Sequence, residues 1–380
     1  MNVLAHPLIR RAAKDTAALA VHYSGLRRAM ATYRRLQAGG RRVLIVSYHR
    51  VVEDIALELR RSIPGLLISR ETFRRHLEDA HRSGYQLSSL EDALDVLAGR
   101  RRAARDLCVV TFDDGYRDVY RHALPILKSM GVPATMYLPS DFVGTDRRFN
   151  HDRLYHLAGL VLRAGILPEA ARELLGPVMA GRTSLSAALD DWLGEHRTSE
   201  LTALIDATEQ GLRGIDLFGE SPRPEAGDVI SWDEARAMQR AGISFGAHTL
   251  GHCVLTVESE DVVEREVLGS KEAIERELGT PVRDFAYCNG WYSDLVVRVL
   301  ARCGFRSAVT TEDLPNVAGG DPFALKRKVL WENFSLGLDG RYSSPLTACQ
   351  LDDVFGVLGA TRPVPGRRPH RVEGARLEGA

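Results

Sequence analysis

Two short segments carry residue types that together could hold a metal ion. Asp113 and Asp114 directly follow the apolar run CVVTF, and His248 and His252 follow the apolar run ISFGA. Two histidines four residues apart present their imidazoles on one side of a helical turn, which suits a shared metal. With one carboxylate they form a two-histidine, one-aspartate site that leaves coordination positions open for water and substrate.

Open coordination positions indicate hydrolytic chemistry. A bound divalent ion lowers the pKa of its water from roughly 15.7 to about 7 and polarises a substrate carbonyl. The second aspartate is then available as a general base. Adjacent carboxylates titrate as a coupled pair, which favours one on the metal and the other ionised beside it. Spacing alone does not decide which aspartate has which role.

A structural interpretation of the same residues competes with the catalytic one. The sequence DDG is good turn chemistry, and a lone histidine is usually a hydrogen-bonded structural residue. Two carboxylates at the end of a buried strand, however, are unfavourable unless a cation or hydrogen bonds compensate them. The carboxyl ends of parallel strands also form the active-site face of α/β barrels, so position favours function.

The surrounding sequence alternates between strand and helix patterns. Short apolar runs predict strands at 43–48, 107–112, 134–138, 243–247, 282–287, 306–310 and 328–331. Helical patterns between them imply a parallel sheet, either open or closed into a barrel. The segment from about 145 to 228 is rich in Ala, Leu, Glu and Arg and predicts a helical insertion.

Both ends of the chain differ from this body, which we place at 41–345. Residues 1–40 predict a basic helical arm, since the first 42 residues carry nine lysines and arginines against one acid, Asp15. A solvated helix face is the ordinary interpretation, and docking on an anionic membrane surface is the alternative. Residues 362–380 are rich in Pro, Gly and Arg, which is typical of a disordered tail.

Composition narrows the class of protein further. Basic and acidic residues number 50 each, and a chain without net charge is a poor nucleic-acid binder. Five scattered cysteines predict reduced thiols rather than disulfides. We find no apolar run of about 18 residues and no signal peptide. These features predict a cytoplasmic protein, with the inner face of the membrane as the peripheral alternative.

The motifs resemble those of one family. TFDDGY at 111–116 and HTLGH at 248–252 are similar to the first two motifs of the polysaccharide deacetylases, the NodB-homology enzymes of carbohydrate esterase family 4. YHRV at 48–51 and FAYCNG at 285–290 resemble the exopolysaccharide-deacetylase branch. The resemblance covers about 42–331, and the two core motifs in this order are far more specific than either alone.

This resemblance implies a distorted (β/α) barrel of about seven parallel strands that removes acetyl groups from N-acetylated sugars. The substrate would be a polysaccharide or a glycan precursor, including a lipid-linked sugar. Matched position by position, Asp113 is the base and Asp114, His248 and His252 are the metal ligands. The metal in such enzymes is most often zinc, with cobalt or nickel accepted at similar sites.

Further residues receive roles from the same comparison. The backbone N–H near Asn289 would stabilise the oxyanion. Tyr116 and Asp152 are candidate substrate contacts, since NHDR at 150–153 resembles a WWDRL segment of relatives; an acid at a helix N-terminus is the alternative for Asp152. His49, at a strand end, is a candidate catalytic proton donor, and anchoring of its loop is the equally open alternative.

The chain departs from the family pattern at three points. Ala286 stands where the third motif has an arginine that orients the base, and Cys288 stands where the branch has proline. No histidine occurs between His252 and His370 to serve as the late general acid. These departures leave three alternatives open: a non-catalytic carbohydrate-binding relative, an O-deacetylase, or a scaffold whose basic arm joins membrane machinery.

Overall fold

Short apolar, β-branched runs form the strands of this protein. The computed structural model describes residues 7–37, 40–60, 62–213, 228–357 and 366–370. The strands in these ranges are β1 (Val43–Tyr48), β2 (Arg50–Val52), β3 (Leu67–Ser69), β4 (Gln86–Ser88), β5 (Leu107–Phe112), β6 (Ala134–Leu138), β7 (Ile243–Ala247), β8 (Asp284–Ala286), β9 (Ser307–Val309) and β10 (Arg327–Val329).

Seven of these strands form a parallel sheet that nearly closes into a barrel. Their order is β10-β1-β5-β6-β7-β8-β9, with β4 added at the start of β5 and a separate β2–β3 pair. A bridge between Val309 of β9 and Leu325, just before β10, draws the two edges together. The predicted distorted barrel of about seven parallel strands is confirmed.

Helices surround the barrel. They are α1 (Pro7–Tyr23), α2 (Leu26–Gln37), α3 (Ile55–Glu58), α4 (Arg70–Arg82), α5 (Leu90–Leu97), α6 (Leu124–Met130), α7 (Asn150–Ala164), α8 (Arg172–Met179), α9 (Leu185–Leu193), α10 (Thr198–Gly211), α11 (Trp232–Arg240), α12 (Glu260–Leu278), α13 (Asp294–Arg302), α14 (Ser344–Leu351) and α15 (Val354–Val357). None of these described helices combines the length and apolar character needed to cross a bilayer.

Alternating side chains of the strands fill two cores. Val43 and Ile45 of β1 belong to a cluster with Val109, Ala286 and Val309 from other strands. The residues that follow each of these on β1, Leu44 and Val46, point to the other face of the sheet and pack into the large cluster shared with the helices. Because both faces are covered, every residue of β1, β5 and β6 is buried.

The helical insertion has a core of its own beside the carboxyl ends of the strands. Helices α7 to α10 bury apolar side chains such as Leu157 and Ile205 together with Trp192. Val254 and Trp291 join this cluster from loops that follow β7 and β8. The predicted insertion is therefore helical and packs against the barrel loops; its part from 214 to 227 lies outside the described residues.

The basic arm is folded against the body. Ala18 of α1 is buried with Cys349 of α14 and Phe355 of α15. Arg27 of α2 pairs with Asp352 at 2.5 Å, where both side chains are at most 8% exposed. Part of the positive charge of the arm is thus neutralised by acids of the barrel.

The C-terminal segment is described only at 366–370, and the rest of the tail predicted to be disordered lies outside the described residues. The N–H of Tyr292 donates to the carbonyl of Gly366 at 3.0 Å, and the N–H of Arg368 donates back to the carbonyl of Tyr292 at 2.8 Å. His370 contacts Ser293 Oγ at 3.0 Å and the Glu258 carbonyl at 2.9 Å. Both of its ring nitrogens are therefore engaged at this docking position.

Candidate active site

Strand ends deliver the chemically active side chains to one edge of the barrel. His49 follows β1, Asp113 and Asp114 follow β5, His248 follows β7, and Asn289 lies just beyond β8. A cavity of about 270 Å³ at this edge is lined by all five, together with His252. The residues predicted as base and metal ligands are therefore brought together although more than 130 positions separate the two motifs.

Asp114, His248 and His252 meet through their polar atoms. Asp114 Oδ1 lies 3.2 Å from His252 Nε2 and 3.5 Å from His248 Nε2. Nδ1 of His248 lies 2.7 Å from the carbonyl oxygen of Ala286 and must donate its proton there, so the lone pair is on Nε2. Atoms bound at about 2.0–2.1 Å to a tetrahedral ion lie roughly 3.3 Å apart, close to the spacing found here.

The electrostatics of this cluster favour a positive charge among the three side chains. Asp114 Oδ1 is buried and has no hydrogen-bond partner in the described part of the chain. Burial would raise the pKa of Asp114, but His252 and His248 hold that pKa well below its ordinary value. Burial would likewise lower the His248 pKa, yet Cys288 and Asp114 raise it well above its ordinary value. A divalent cation fits this donor set, because it supplies the positive charge that protonated histidines would otherwise provide beside Asp114.

Backbone strain is concentrated at the same place. Five non-glycine residues of the described chain have positive φ, and four belong to these loops: Asp114 at 69°, Thr249 at 64°, His252 at 57° and Asn289 at 56°. Such conformations are sparsely populated and persist only where the surrounding structure enforces them. At Asp114 and His252 this left-handed backbone conformation sets the direction in which the candidate ligand side chain leaves the chain.

Hydrogen bonds hold the histidine loop in this conformation. The Glu266 carboxylate of α12 accepts from the N–H groups of Leu250 and Gly251 at 3.0 and 2.9 Å. The N–H of His248 donates to the carbonyl of Leu138 at the end of β6, at 3.0 Å. The loop is therefore fixed from two sides before any ligand is bound.

Cys288 lies beside the cluster without pointing at its centre. The ligating atoms of His248, His252 and Cys288 are all within 4.8 Å of one another, so the thiol is a candidate ligand by proximity. Its Sγ, however, is 3.9 Å from Nδ1 and 4.0 Å from Nε2 of His248. An atom equidistant from both nitrogens lies beside the ring and not on the Nε2 lone pair, so Asp114 is the better third ligand.

Arg327 of β10 holds the neighbouring aspartate, a contact that the sequence analysis missed. Its Nη1 and Nη2 donate to Asp113 Oδ1 and Oδ2 at 2.8 and 2.7 Å, and the arginine is fully buried. Burial would raise the Asp113 pKa, but the Arg327 charge and its hydrogen bonds lower it below the ordinary value. Arg327 thus orients Asp113 from β10.

His49 approaches Asp113 from the other side. Its Nε2 lies 4.0 Å from Asp113 Oδ2, and its buried Nδ1 has no hydrogen-bond partner among the described residues. Burial lowers the His49 pKa, although Asp114 and Asp113 oppose that shift. Because Nδ1 of His49 makes no hydrogen bond to the described part of the loop, the position does not favour the loop-anchoring alternative. The ring lines the cleft, where it could contact a substrate.

Tyr116 and Asp152 lie beneath the cleft and do not line it. The Tyr116 hydroxyl donates to Asp152 Oδ2 at 2.7 Å and lies 2.7 Å from His151 Nε2. Burial and Asp152 raise the Tyr116 pKa well above its ordinary value, so the hydroxyl keeps the proton that it donates. His151, which the sequence analysis left unassigned, lines the cavity above them and stacks on Phe149. Tyr116 and Asp152 are thus placed to support His151, and the expectation of direct substrate contact has no support in their position.

The turn after β8 offers backbone donors. The N–H groups of Tyr287 and Gly290 already donate, to Val309 at 3.2 Å and to Tyr287 at 2.8 Å. The N–H groups of Cys288 and Asn289 remain as candidates. Gly290 is required here, because a Cβ at that position would lie 2.2 Å from Thr311 Oγ1.

Comparison with known proteins gives a consistent set of matches. The family model described as polysaccharide deacetylase matches residues 100–308. YxkH of Bacillus subtilis (strain 168), whose name places it among the polysaccharide deacetylases, is 28% identical over 94 residues, or 25% of this chain. That match spans 34%, about a third, of the length of YxkH.

Two solved structures share the fold. IcaB from Ammonifex degensii aligns with a TM-score of 0.52 and 19% identity, covering 82% of this chain and 98% of that one. The Streptococcus pyogenes deacetylase PplD, solved in complex with acetate, aligns with a TM-score of 0.51 and 18% identity, covering 79% of this chain and 96% of that one. At these identities the likeness extends to the fold.

Proposed function

The chain belongs to the polysaccharide deacetylase family, and we propose that it hydrolyses acetyl groups from N-acetylated sugars with a divalent metal, zinc. The observation that carries the proposal is the meeting of Asp114, His248 and His252 at 3.2–3.5 Å beside a second, separately held carboxylate. A metal site with an adjacent base is the arrangement that hydrolysis of an amide requires.

Asp114 and the Nε2 atoms of His248 and His252 would hold the ion. Bound there, a divalent ion supplies a water of pKa about 7 and polarisation of the acetyl carbonyl. Asp113 is the base, because the Arg327 fork keeps it ionised and points it into the cleft. Arg327 donates to both oxygens, so the carboxylate cannot rotate away from the position where water is deprotonated.

The remaining steps use groups around Asp113. The attack of water on the acetyl carbon forms a carbon–oxygen bond and a tetrahedral oxyanion, and the collapse of this oxyanion breaks the carbon–nitrogen bond and releases acetate and an amine. His49, 4.0 Å from Asp113, is placed to pass the proton on to the leaving nitrogen. The N–H groups of Cys288 and Asn289 are placed to stabilise the oxyanion as it forms.

The cleft fits a sugar with one apolar substituent. Leu189, Leu193 and Val254 line it together with the polar residues named above. Apolar side chains with a few convergent polar groups are typical of small-molecule sites. An acetamido methyl group would pack on the leucines while the ring hydroxyls reach the polar side. The acetate in the PplD structure is the product expected of the same reaction.

The test is acetate release by the purified protein from a chito-oligosaccharide, with an O-acetylated glycan in parallel and bound metal measured by mass spectrometry. We expect about one zinc per chain and acetate from the N-acetylated substrate. Release from the O-acetylated glycan alone would replace the proposal with an O-deacetylase. Bound zinc with no release from either would favour a non-catalytic carbohydrate-binding protein.

A variant of Asp113, compared with a histidine control, tests the role of this aspartate as the base. Asp113→Asn keeps the size of the side chain but removes the base and one of the two oxygens that accept from Arg327, so we expect full zinc content and activity reduced by about 10²–10⁴-fold. His122→Ala, a histidine change on the π-helical turn Val119–Ala123 outside the cleft, is the matched control and should alter neither quantity. Turnover retained in Asp113→Asn would remove Asp113 from the mechanism.

A further inference from the structure

The helices of the arm expose an unusual amount of apolar surface. In the described chain, ten large apolar side chains are exposed, and five of them are on α1 and α2: Leu19, Tyr23, Leu26, Tyr33 and Leu36. Tyr23 and Leu36 are 77% and 76% exposed, the highest values of the ten. Contiguous apolar exposure of this kind marks an interaction surface more often than scattered single residues do.

On α2 the exposed apolar residues form a stripe. Leu26, Ala29, Tyr33 and Leu36 follow a spacing of three, four and three residues, which places them along one face of the helix. Arg27 and Ala31, on the opposite side, are buried against the body. One face of α2 therefore packs against the body of the protein, and a second, apolar face is exposed to solvent.

A recess rich in arginine lies directly beside this stripe. It is lined by Arg28 and Arg35 of α2, by Arg41, and by Arg82 and Arg105 from the barrel side. The one carboxylate among its described lining residues, Asp352, is already bound to Arg27 at 2.5 Å and to the Tyr85 hydroxyl at 3.0 Å. Arg35 is paired with Asp106 at 2.8 Å and Arg82 with Asp79 at 3.1 Å. Among the described residues, Arg28, Arg41 and Arg105 are the arginines of the recess that have no carboxylate partner.

The acid of the arm itself is also turned inward. Asp15 accepts from the N–H of Leu338 at 2.9 Å and from the Ser343 hydroxyl at 3.2 Å. Between residues 12 and 23, where the side chains of α1 are described, the exposed positions (Ala13, Thr16, Leu19, Ala20 and Tyr23) carry no charge. The described outer surface of the two helices thus combines apolar side chains with a border that includes the unpaired arginines Arg28, Arg41 and Arg105.

We propose that helices α1 and α2 dock this protein on an anionic lipid surface. The apolar stripe of α2 would enter the boundary between headgroups and acyl chains, and the arginine recess would bind lipid phosphates. A basic border with leucine and tyrosine on the adjoining face is the pattern of helices that lie in the membrane interface. A second copy of the same face is disfavoured as partner, because its arginines would meet arginines.

The experiment is flotation of the full-length protein with vesicles of phosphatidylglycerol and phosphatidylcholine, against phosphatidylcholine alone. We expect binding to the anionic vesicles that weakens as salt is raised. Leu19→Ser/Leu26→Ser/Leu36→Ser should reduce binding by about tenfold or more, since burial of one leucine accounts for a factor of that size. Arg28→Glu, which leaves the apolar stripe intact, should also weaken binding to the anionic vesicles.

The chain offers a matched control in Leu57→Ser/Leu162→Ser/Ile166→Ser, whose three side chains are 45%, 52% and 44% exposed outside the arm. This variant should bind vesicles as the unmodified protein does. Three results would overturn the proposal: no flotation of the unmodified protein, an equal loss in both triple variants, or self-association that the arm variant abolishes while lipid binding is absent. Acetate release in solution is measured separately, so loss of lipid binding is distinguishable from loss of the active site.

Discussion

Replacing Arg327 by methionine tests the reasoning about the active site most directly. The change keeps a long apolar side chain but removes two charge-assisted hydrogen bonds, of 2.7 and 2.8 Å, from Asp113. Both partners are almost completely buried, at 0% and 3% exposure. Asp113 would then be a buried carboxylate without its cation.

The expected loss of stability follows from this burial. Breaking a buried pair by removing one partner destabilises a protein by about 3–5 kcal/mol, because the remaining charge is uncompensated. The wild-type Asp113 pKa lies below its ordinary value, so the pair stabilises the fold above the unfolded-state pKa and loses that contribution as pH falls through the folded-state pKa. Without Arg327, burial raises the Asp113 pKa, so the stability deficit is largest near neutral pH and shrinks towards pH 4.

Two measurements check this expectation. Urea unfolding at several pH values gives the stability difference, and the pH dependence of kcat/KM gives the protonation of the base. We expect the acid limb of the kcat/KM profile to move to higher pH, because a raised Asp113 pKa leaves less of the base ionised. Arg327→Lys should recover part of the stability but not the two-point orientation.

The matched control is Arg306→Met, which breaks a two-point pair with Asp284 at 3.0 Å where the arginine is 35% exposed. A pair with a solvent-accessible partner contributes about 1 kcal/mol or less. The reasoning is refuted by equal losses of stability in the two variants, or by an unshifted acid limb in Arg327→Met.

Three further outcomes are expected. Asp114→Ala should retain less than about a tenth of the wild-type zinc by mass spectrometry, because it removes the one carboxylate ligand, and zinc that stays bound would point to a different ligand set. Cys288→Ala should keep its zinc and its cobalt absorption spectrum, because Sγ lies beside the His248 ring; a lost sulfur-to-cobalt band would make the thiol a ligand. Gly246→Ala should destabilise by about 1–3 kcal/mol in urea unfolding, because its Cβ would lie 2.5 Å from the Tyr137 ring, while Gly40→Ala, with open space around it, should change little.

The sequence predicted the longer strands well because their signals are local, whereas the three-residue strands β2, β3 and β4 were not predicted. The bounds of β1, β5, β6 and β7 agree to the residue with the apolar runs at 43–48, 107–112, 134–138 and 243–247. Each is a five- or six-residue run in which apolar residues predominate. The three later strands are only three residues long, and pairing with neighbours sets their limits, so the predicted runs at 282–287 and 306–310 were too long.

The chain between β5 and β6 departs from a regular helix. The structure has a π-helical turn at Val119–Ala123 before α6 begins. Pro125, in the first turn of α6, has no N–H to donate to the preceding turn, and the regular hydrogen-bond ladder is interrupted there. The periodicity of apolar residues does not register this change.

Arg327 illustrates what a sequence pattern cannot give at the site. The prediction began the last strand at 328, one residue after Arg327, yet Arg327 is the largest fully buried side chain described. Its burial depends on Asp113, 214 positions earlier in the chain, through register between β1, β5 and β10. Motifs located both aspartates and both histidines; the partner that holds the base could be found only through the fold.

The arginine recess and the active-site cleft lie at opposite ends of the barrel. The arginine recess lies where β4 and β5 begin, next to Gly84 and Arg105, whereas the cleft lies where β5 and β7 end. The six residues of β5 span about 20 Å at roughly 3.3 Å per residue. A protein resting on lipid by its arm would therefore hold its cleft a barrel height above the headgroups, within reach of sugars far along a glycan chain but not of the first sugar on a lipid.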